Sequence, residues 1–464
     1  MSQAPSEDPQ TLTPADDTRD TPELPVRDIR TFIETENRDQ LLALVEPLHE
    51  ADVADIIEQL SPPERSQFVT LLADEFTPEV LSELRYSVRS DLLDAIPNAQ
   101  IAEALEQLET DDSVDILQDL NESDQREVLD AFDNSAERRA IEEALTYPED
   151  SAGRLMQRQH IAVPEYWSIG RTIDYLRDNQ ALTSEFWEIF VVDPRYRPVG
   201  TLALSHILRS ARDVSVSDIM LTEQTFIPVD MDQEEVAYRF QQYHLISAAV
   251  TDPRGRLVGM ITVDDVVGVI NEEAEEDILA LAGVSESDVN TSIVQTTKTR
   301  FIWLFVNLIT AVLASLVIAL FEDEIGQLVA LAVLMPIVAS MGGNAGTQTL
   351  TVTVRSLATR DLSGANLWRV LNREVVVSFI NGVLLAIILG VVSSLWFENL
   401  ELGAVIAFSM IINLVAAGLA GMLVPVVLDR LKIDPAVASS VFVTTVTDIV
   451  GFFVFLGLAA YILL

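Results

Sequence analysis

The chain has 464 residues, 49 % of them hydrophobic, a net charge of −43 and no cysteine. The lack of Cys excludes disulfides, zinc–thiolate sites and thiol catalysis. Four scattered histidines (His49, His160, His206, His244) are too few and too far apart in sequence to suggest a zinc site.

High apolar content and strong acidity fit one chain only if it is divided. Residues 301–464 hold 10 acidic and 6 basic side chains, net −4, and the remainder carries −39. An acidic soluble part therefore precedes an apolar part, with room for two to four domains. Lys298 and Lys432 are the only lysines. Surplus carboxylate with so little Lys has two readings. One is a host with a very salty cytosol, whose ions screen the self-repulsion. The other is cation binding throughout. Under the first, any single acidic cluster carries little information. The start of the chain lacks a basic stretch followed by an apolar run, so no secretory signal is expected.

In chain order, residues 1–25 are rich in Pro, Thr, Asp and Glu and are expected to form a disordered tail. Residues 26–147 read as helical. Apolar positions recur at three and four residues, as in Leu41, Leu44, Val45, Leu48, and helix starts are marked at Ser61-Pro62-Pro63-Glu64, Thr77-Pro78-Glu79 and Asn121-Glu122-Ser123-Asp124. Segments 51–72 and 112–132 look like loose copies, which suggests a small superhelical array. Asp111, Asp112 and Asp115 form either a cation site or a solvated face.

Residues 148–270 are mixed α/β and repeat. Segment 189–210 aligns with 248–269, with Asp193/Asp252 and Gly200/Gly259 each 59 apart, and Leu155-Met156 and Ile219-Met220 open the two copies (about 155–212 and 219–270). Each copy reads strand, helix, strand, Asp-Pro turn, strand, helix. This resembles a tandem pair of CBS domains, which often bind adenosine nucleotides. Gly259-x-x-Thr262-x-x-Asp265 matches that family's ribose-binding pattern, and the first copy has Ala203 and His206 instead. The resemblance implies one nucleotide site, anchored at Thr262 and Asp265. The plain alternative is that Asp265 caps the following helix.

Residues 271–300 form a connecting segment that opens as an acidic helix with Glu272, Glu275 and Glu276 on one face. It is either a solvated linker or a place where a cation neutralises stacked carboxylates.

Five apolar segments follow: 301–321, 328–354, 374–397, 402–428 and 435–464. Each exceeds the ~20 residues a helix needs to cross a bilayer. Lys298 and Arg300, then Arg355, Arg360, Arg369 and Arg373, then Arg430 and Lys432 lie on one side; the other loops carry only acids. Positive-inside bias puts the soluble part in the cytoplasm and the C-terminus outside. The second span holds Pro336, Ser340, Gly342, Gly343, Asn344, Gly346, Thr347, Gln348, Thr349, Thr351 and Thr353. Hydrocarbon penalises so many polar groups, and Pro with clustered Gly is expected to weaken the helix and free carbonyls. Such a span lines water or packs tightly against neighbours. The fifth span sets Thr444, Thr445 and Thr447 beside Asp448, its only acidic or basic residue. A charge near the bilayer centre is costly and marks an ion pathway by default; a structural hydrogen bond is the alternative.

A lone carboxylate among hydroxyls, amides and carbonyls suits a hard cation such as Mg²⁺. One Asp per chain is thin for a divalent ion, and a two-fold dimer with the pore on its axis would pair two Asp448 side chains. No nucleophile–base pair, phosphate loop or ATPase motif is present, so no enzyme activity is expected.

The whole order resembles the MgtE family of magnesium channels. The matches are Pro336…Gly342-Gly343-Asn344-x-Gly346-x-Gln348 and Asp434-Pro435…Thr445-Val446-Thr447-Asp448, and coverage runs from about residue 26 to the end. The resemblance implies a multidomain membrane protein: an all-α superhelical N-domain, α/β tandem CBS domains, a plug helix and a five-helix transmembrane domain. It implies a homodimer in membrane lipid, with no nucleic acid and no obligate protein partner. It implies that Asp448 binds hydrated Mg²⁺ in a pore lined by Gly343, Asn344, Thr347, Gln348, Thr444 and Thr445. It implies closure by cytosolic Mg²⁺ at Glu272, Glu275, Glu276, Asp264 and Asp434, with ATP or another adenosine nucleotide at the CBS domains. Two other readings stand beside it: a carrier for Co²⁺ or Mn²⁺, and a non-conducting CBS-type membrane sensor.

Overall fold

The computed structural model describes residues 25–72, 77–94, 96–179, 182, 186–284, 293–362 and 364–463. The expected tail therefore lies, but for Pro25, outside the described residues. The chain divides into two compact units. One is everything up to Asp230 with Ala249–Met260; the other is Met231–Ala248 with Ile261–Leu464.

The first unit opens with helices α1 (Val26–Glu34), α2 (Arg38–Val45), α3 (Glu50–Glu58), α4 (Pro62–Leu72), α5 (Glu79–Ser82), α6 (Tyr86–Leu93), α7 (Asn98–Leu105), α8 (Thr110–Gln118), α9 (Glu122–Ala131) and α10 (Ser135–Ala144). Their apolar stripes close over one core that includes Ile29, Ile56, Phe68, Leu92, Leu105, Leu117 and Ile141. The two loose copies are helix pairs, α3–α4 and α8–α9. Each pair is tied by the same bond at equivalent positions: Arg65 Nε donates to Ile57 O at 3.0 Å, and Gln125 Nε2 donates to Leu117 O at 3.1 Å. Each second helix starts at a cap. Ser61 N–H donates to the Glu64 carboxylate, and Asn121 accepts from Ser123 and Asp124 N–H. Asp115 is engaged in an ion pair with buried Arg89 at 2.7 Å, joining α6 to α8. That ion pair is a role that neither reading of the cluster, cation site or solvated face, offers for this acid.

After α11 (Ala152–Leu155) come β1 (Ala162–Pro164), α12 (Ile169–Asp178), β2 (Glu188–Val192), β3 (Pro198–Ala203), α13 (Leu204–Arg209) and α14 (Val216–Ile219). The second copy is β4 (Ile227–Pro228), α15 (Gln233–Tyr243), β5 (Ser247–Thr251), β6 (Leu257–Thr262) and the start of α16 (Val263–Leu281). The sheets run β1-β2-β3 and β4-β5-β6. β1 lies parallel to β2, β2 antiparallel to β3, and β4 parallel to β5. The repeat is physical as well as textual. Asp193 accepts from Arg195 and Arg197 N–H, as Asp252 does from Arg254 and Arg256 N–H. The opening segments are exchanged: Leu221 bridges to Thr201 of the first copy, and Gln157 to Met260 of the second. Gly200 and Gly259 permit this. A Cβ on either would stand 2.6 Å from Leu221 O or 2.7 Å from Gln157 O.

The second unit continues with α17 (Ile293–Ala319), α18 (Glu322–Gln327), α19 (Ala330–Ala358), α20 (Leu367–Trp396), α21 (Leu400–Arg430) and α22 (Pro435–Ile462). Five of these helices are long and apolar enough to cross a membrane. The protein is thus a multi-pass membrane protein. Two expectations need correction. The connecting helix does not begin near 271: α16 is one continuous helix from Val263, and residues 285–292 of the connecting segment lie outside the described residues. Nor do Pro336 and the glycines break the second span, since α19 runs unbroken through them.

Candidate functional site

Three helices meet where the sequence placed the site. Glycines on α19 accept neighbouring side chains, which is why clustered Gly packs this helix instead of breaking it. A Cβ on Gly346 would stand 2.6 Å from Val443 Cγ1 of α22 and 3.5 Å from Thr447 Cγ2. One on Gly421 of α21 would stand 2.6 Å from Gly346 O. Gly343 faces Thr444, whose Cγ2 lies 3.9 Å from where a Cβ would be. Leu331, Leu334, Val338, Gly342, Gly346, Leu350 and Val354 thus form the packed side of α19.

The opposite side is polar and uncovered within the chain. Ser340, Asn344, Thr347, Gln348, Thr351 and Arg355 are exposed, at the three- and four-residue spacing of one helix face. Thr347 and Thr351 hydroxyls donate back to Gly343 and Thr347 carbonyls at 3.0 Å. None of the described hydrogen bonds uses the Asn344 or Gln348 amides. On α22, Thr444 and Thr445 are partly buried and donate to Ser440 and Val441 carbonyls at 2.9 and 2.6 Å. Asp448, one turn further, is partly exposed and enters none of the described hydrogen bonds or ion pairs. Among the described residues no three His, Asp or Glu side chains cluster closely enough to hold a metal ion. One chain therefore offers a single carboxylate with open lone pairs beside a polar helix face.

The second feature adjoins the first, where α16 meets these helices. α16 closes with a left-handed Gly283, φ +70°, whose neighbours form a Schellman turn: Gly283 N–H donates to Ala280 O and Val284 N–H to Leu279 O. Near this end one residue, Ala280, is buried. Ala280 packs with Leu350 and Val354 of α19, Ala420 of α21, and Ala436 and Val443 of α22. One face of α16, Val266, Val269, Glu273, Asp277 and Ala280, points inward at helical spacing.

Carboxylates crowd along that face. Burial and the neighbouring Asp434 and Glu273 raise the Asp277 carboxyl above its ordinary range. Burial, then Glu273, Asp232 and Asp277, raise that of Glu234 on α15. Glu273 accepts from Gln233 Nε2 at 2.8 Å. Asp434 caps α22, accepting from Ala436 N–H at 2.7 Å. By contrast Glu272, Glu275, Glu276 and Asp264 lie at exposed positions on α16. Of the acids expected to regulate, the structure brings Asp434 to the crowded face, where it neighbours Asp277. Glu234, Glu273 and Asp277 were missed. Carrying the buried Val266–Val269 phase forward in steps of three and four would have found the two on α16.

α15 also touches the loop between the second and third spans. Arg360, with φ +56°, pairs with Glu235, and its guanidinium stands 4.4 Å from the Tyr238 ring centre. Burial pushes the Glu235 carboxyl up, but bonds from Arg360 and Arg239 outweigh it and hold it below the ordinary range. Thr262 and Asp265 form a capping box at the start of α16: the Thr262 hydroxyl donates to Asp265 at 2.6 Å, and its N–H at 3.4 Å. The capping role read from the sequence is therefore present.

Comparison with known proteins bears on this geometry. The profile of MgtE, described as a divalent cation transporter, matches residues 335–458. The MgtE intracellular N domain matches residues 48–150, and the CBS domain matches 216–272, which is the second copy. The magnesium transporter MgtE of Thermus thermophilus is 32 % identical over 428 residues, 91 % of this chain and 95 % of the relative. That of Bacillus subtilis is 29 % identical over 90 % of this chain and 92 % of the relative. A crystal structure of the cytosolic domain of the Mg²⁺ channel MgtE in complex with ATP shares 30 % identity. It covers 53 % of this chain and 99 % of that one, with a TM-score of 0.49. The chain belongs to the MgtE family of magnesium transporters.

Proposed function

We propose that this protein is a Mg²⁺-selective channel for uptake across the cytoplasmic membrane, closed by cytosolic Mg²⁺. One observation carries the reading: a membrane helix whose polar face is uncovered within the chain stands beside a helix bearing an unpaired carboxylate. Lipid cannot cover Asn344, Thr347, Gln348 and Thr351 cheaply, so water or a second copy does. A homodimer with α19 and α22 at its axis covers that face and brings two Asp448 carboxylates to one conduit. The first span, apolar and little covered by its own chain, faces lipid or the second copy. Two carboxylates with surrounding hydroxyls, amides and carbonyls hold Mg²⁺ through its waters, which the ion sheds reluctantly. The basic loops orient the acidic domains and α16 toward the cytoplasm.

The gate in this reading is the end of α16, packed under α19, α21 and α22. Docking it crowds Glu234, Glu273, Asp277 and Asp434. Among the described residues these side chains do not form a direct three-ligand site, so in this reading hydrated Mg²⁺ beside them screens the repulsion and favours the docked helix; when Mg²⁺ is scarce the acids separate and the helix withdraws. Glu272, Glu275, Glu276 and Asp264 form an outer, exposed set on the same helix, and in this reading they add to the response to Mg²⁺. An adenosine nucleotide such as ATP, if held at Thr262 and Asp265, has to share the hydrogen bond these two already make.

The test is rescue of a Mg²⁺-auxotrophic strain. The wild-type chain is expected to restore growth at low Mg²⁺, and Asp448→Ala to lose rescue at equal membrane abundance. Rescue by Asp448→Ala would remove the carboxylate from the mechanism. Preferential support of Co²⁺ or Mn²⁺ uptake in competition would favour a carrier for those ions.

A further inference from the structure

Asn413, in the middle of α21, is fully buried. Its Nδ2 donates to the Val338 carbonyl of α19 at 2.9 Å, a carbonyl that also closes the helix turn to Gly342. Its Oδ1 is buried with no hydrogen-bond partner. The amide fits a slot cut by two glycines on different helices. A Cβ on Gly342 would stand 2.3 Å from Nδ2, and one on Gly451 of α22 would stand 2.8 Å from it. An apolar side chain of similar volume would fill that slot without leaving an acceptor unsatisfied, so stability alone does not account for an amide here. The slot lies beside the proposed conduit. Gly342 adjoins Gly343 and Asn344, and Gly451 lies one turn from Asp448.

We propose that Asn413 is a positioning residue for ion passage: through its bond to Val338 O it fixes the axial register of α19 against α21 and α22, and so sets the polar face of α19 level with Asp448. The inference rests on the transport reading for its consequence, but not for its geometry. The glycine contacts, with Val443 seated against Gly346, oppose sliding by sterics. A directional bond from Asn413 to one chosen carbonyl adds a polar constraint on the axial position that sterics do not supply. A displacement of about 1 Å in such a site is enough to cost one to two orders of magnitude in rate.

The test uses the full-length protein, whose lack of cysteine makes an introduced pair readable. Asn413→Leu keeps the volume without the bond. Asn413→Ala with Gly342→Ala refills the slot, since the new methyl occupies the space that the amide vacates. In each background, Gly343→Cys with Thr444→Cys reports register by disulfide yield, separately from Mg²⁺ flux in liposomes, which is measured without the cysteine pair. Both variants are expected to unfold thermally at or above the wild-type temperature. Cross-linking should fall several-fold and flux at least about tenfold. Wild-type cross-linking and flux in either variant would overturn the inference. So would failure of both variants to fold, which would make the amide a folding determinant. If the wild-type protein carries no Mg²⁺ yet cross-linking still drops in the variants, the register inference stands and the transport reading fails.

Discussion

Two groups of carboxylates in this chain behave in opposite ways. Asp448 stands alone on an apolar helix, with no acid or base beside it among its span's residues. Glu234, Glu273, Asp277 and Asp434 stand together, and burial, then repulsion from neighbouring acids, lifts Glu234 and Asp277 above the ordinary range. The lone acid is expensive because of what surrounds it, and in the proposed reading it keeps its lone pairs open for a passing ion. The crowded acids are expensive because of one another, and any cation or proton that joins them lowers that cost. The first arrangement suits conduction and the second suits sensing.

The sharpest way to separate the inner from the outer acids is neutralisation. Glu234→Gln, Glu273→Gln and Asp277→Asn together remove the repulsion that opposes docking. The channel is then expected to stay closed even without cytosolic Mg²⁺, by patch recording. Glu272→Gln, Glu275→Gln and Glu276→Gln together remove only the outer set and should leave a smaller shift in the Mg²⁺ needed for closure. If the outer triple had the larger effect, the crowded face would lose its role as the main sensor.

The raised carboxyls give a pH signature of intermediate size. A carboxyl whose range is raised by docking binds protons more readily when docked, so protons favour docking. That contribution is fully present below the ordinary carboxylate range and is lost as pH rises through the raised one. In Mg²⁺-free buffer the α16 amides should therefore exchange more slowly at pH 5 than at pH 8, after correction for intrinsic rates. Glu234→Gln with Asp277→Asn should flatten the difference; an unchanged difference would assign it elsewhere.

The smallest effect is expected at Arg360. Its ion pair with Glu235 and its place over Tyr238 join the loop after α19 to the helix that carries Glu234. An exposed pair of this kind with a cation–π contact contributes about 1 kcal/mol, or a roughly fivefold shift in the Mg²⁺ concentration for half closure in Arg360→Ala. No shift would make the contact incidental.

The same contrast explains what could be read from the sequence. Asp448 was legible because its background is nearly empty: one carboxylate in thirty apolar and hydroxyl residues carries information. The CBS pair was legible because Asp193/Asp252 and Gly200/Gly259 recur at one spacing and do the same jobs in both copies. The crowded face was obscured by a net charge of −39 over the rest of the chain, in which acids at nearly any spacing are expected. It was also obscured by treating 271 as a boundary. Once α16 is one helix from Val263, its buried residues fix the phase and turn Glu273 and Asp277 inward. The second span misled in another direction. Pro336 and the glycines suggested a weakened helix, whereas Val443, Thr447 and Asn413 occupy the space the glycines leave and hold α19 whole. Composition shows that side chains are missing; only the fold shows what takes their place.

The central claim is that the lone acid conducts and the crowded acids sense. The most direct measurement is Mg²⁺ flux through purified protein in liposomes, comparing wild type, Asp448→Asn and the inner triple variant at low and high Mg²⁺ on the cytosolic face. The account predicts no flux from Asp448→Asn at either concentration, and wild-type flux that falls as cytosolic Mg²⁺ rises. It also predicts an inner triple that stays closed at both. Wild-type flux from Asp448→Asn would contradict it.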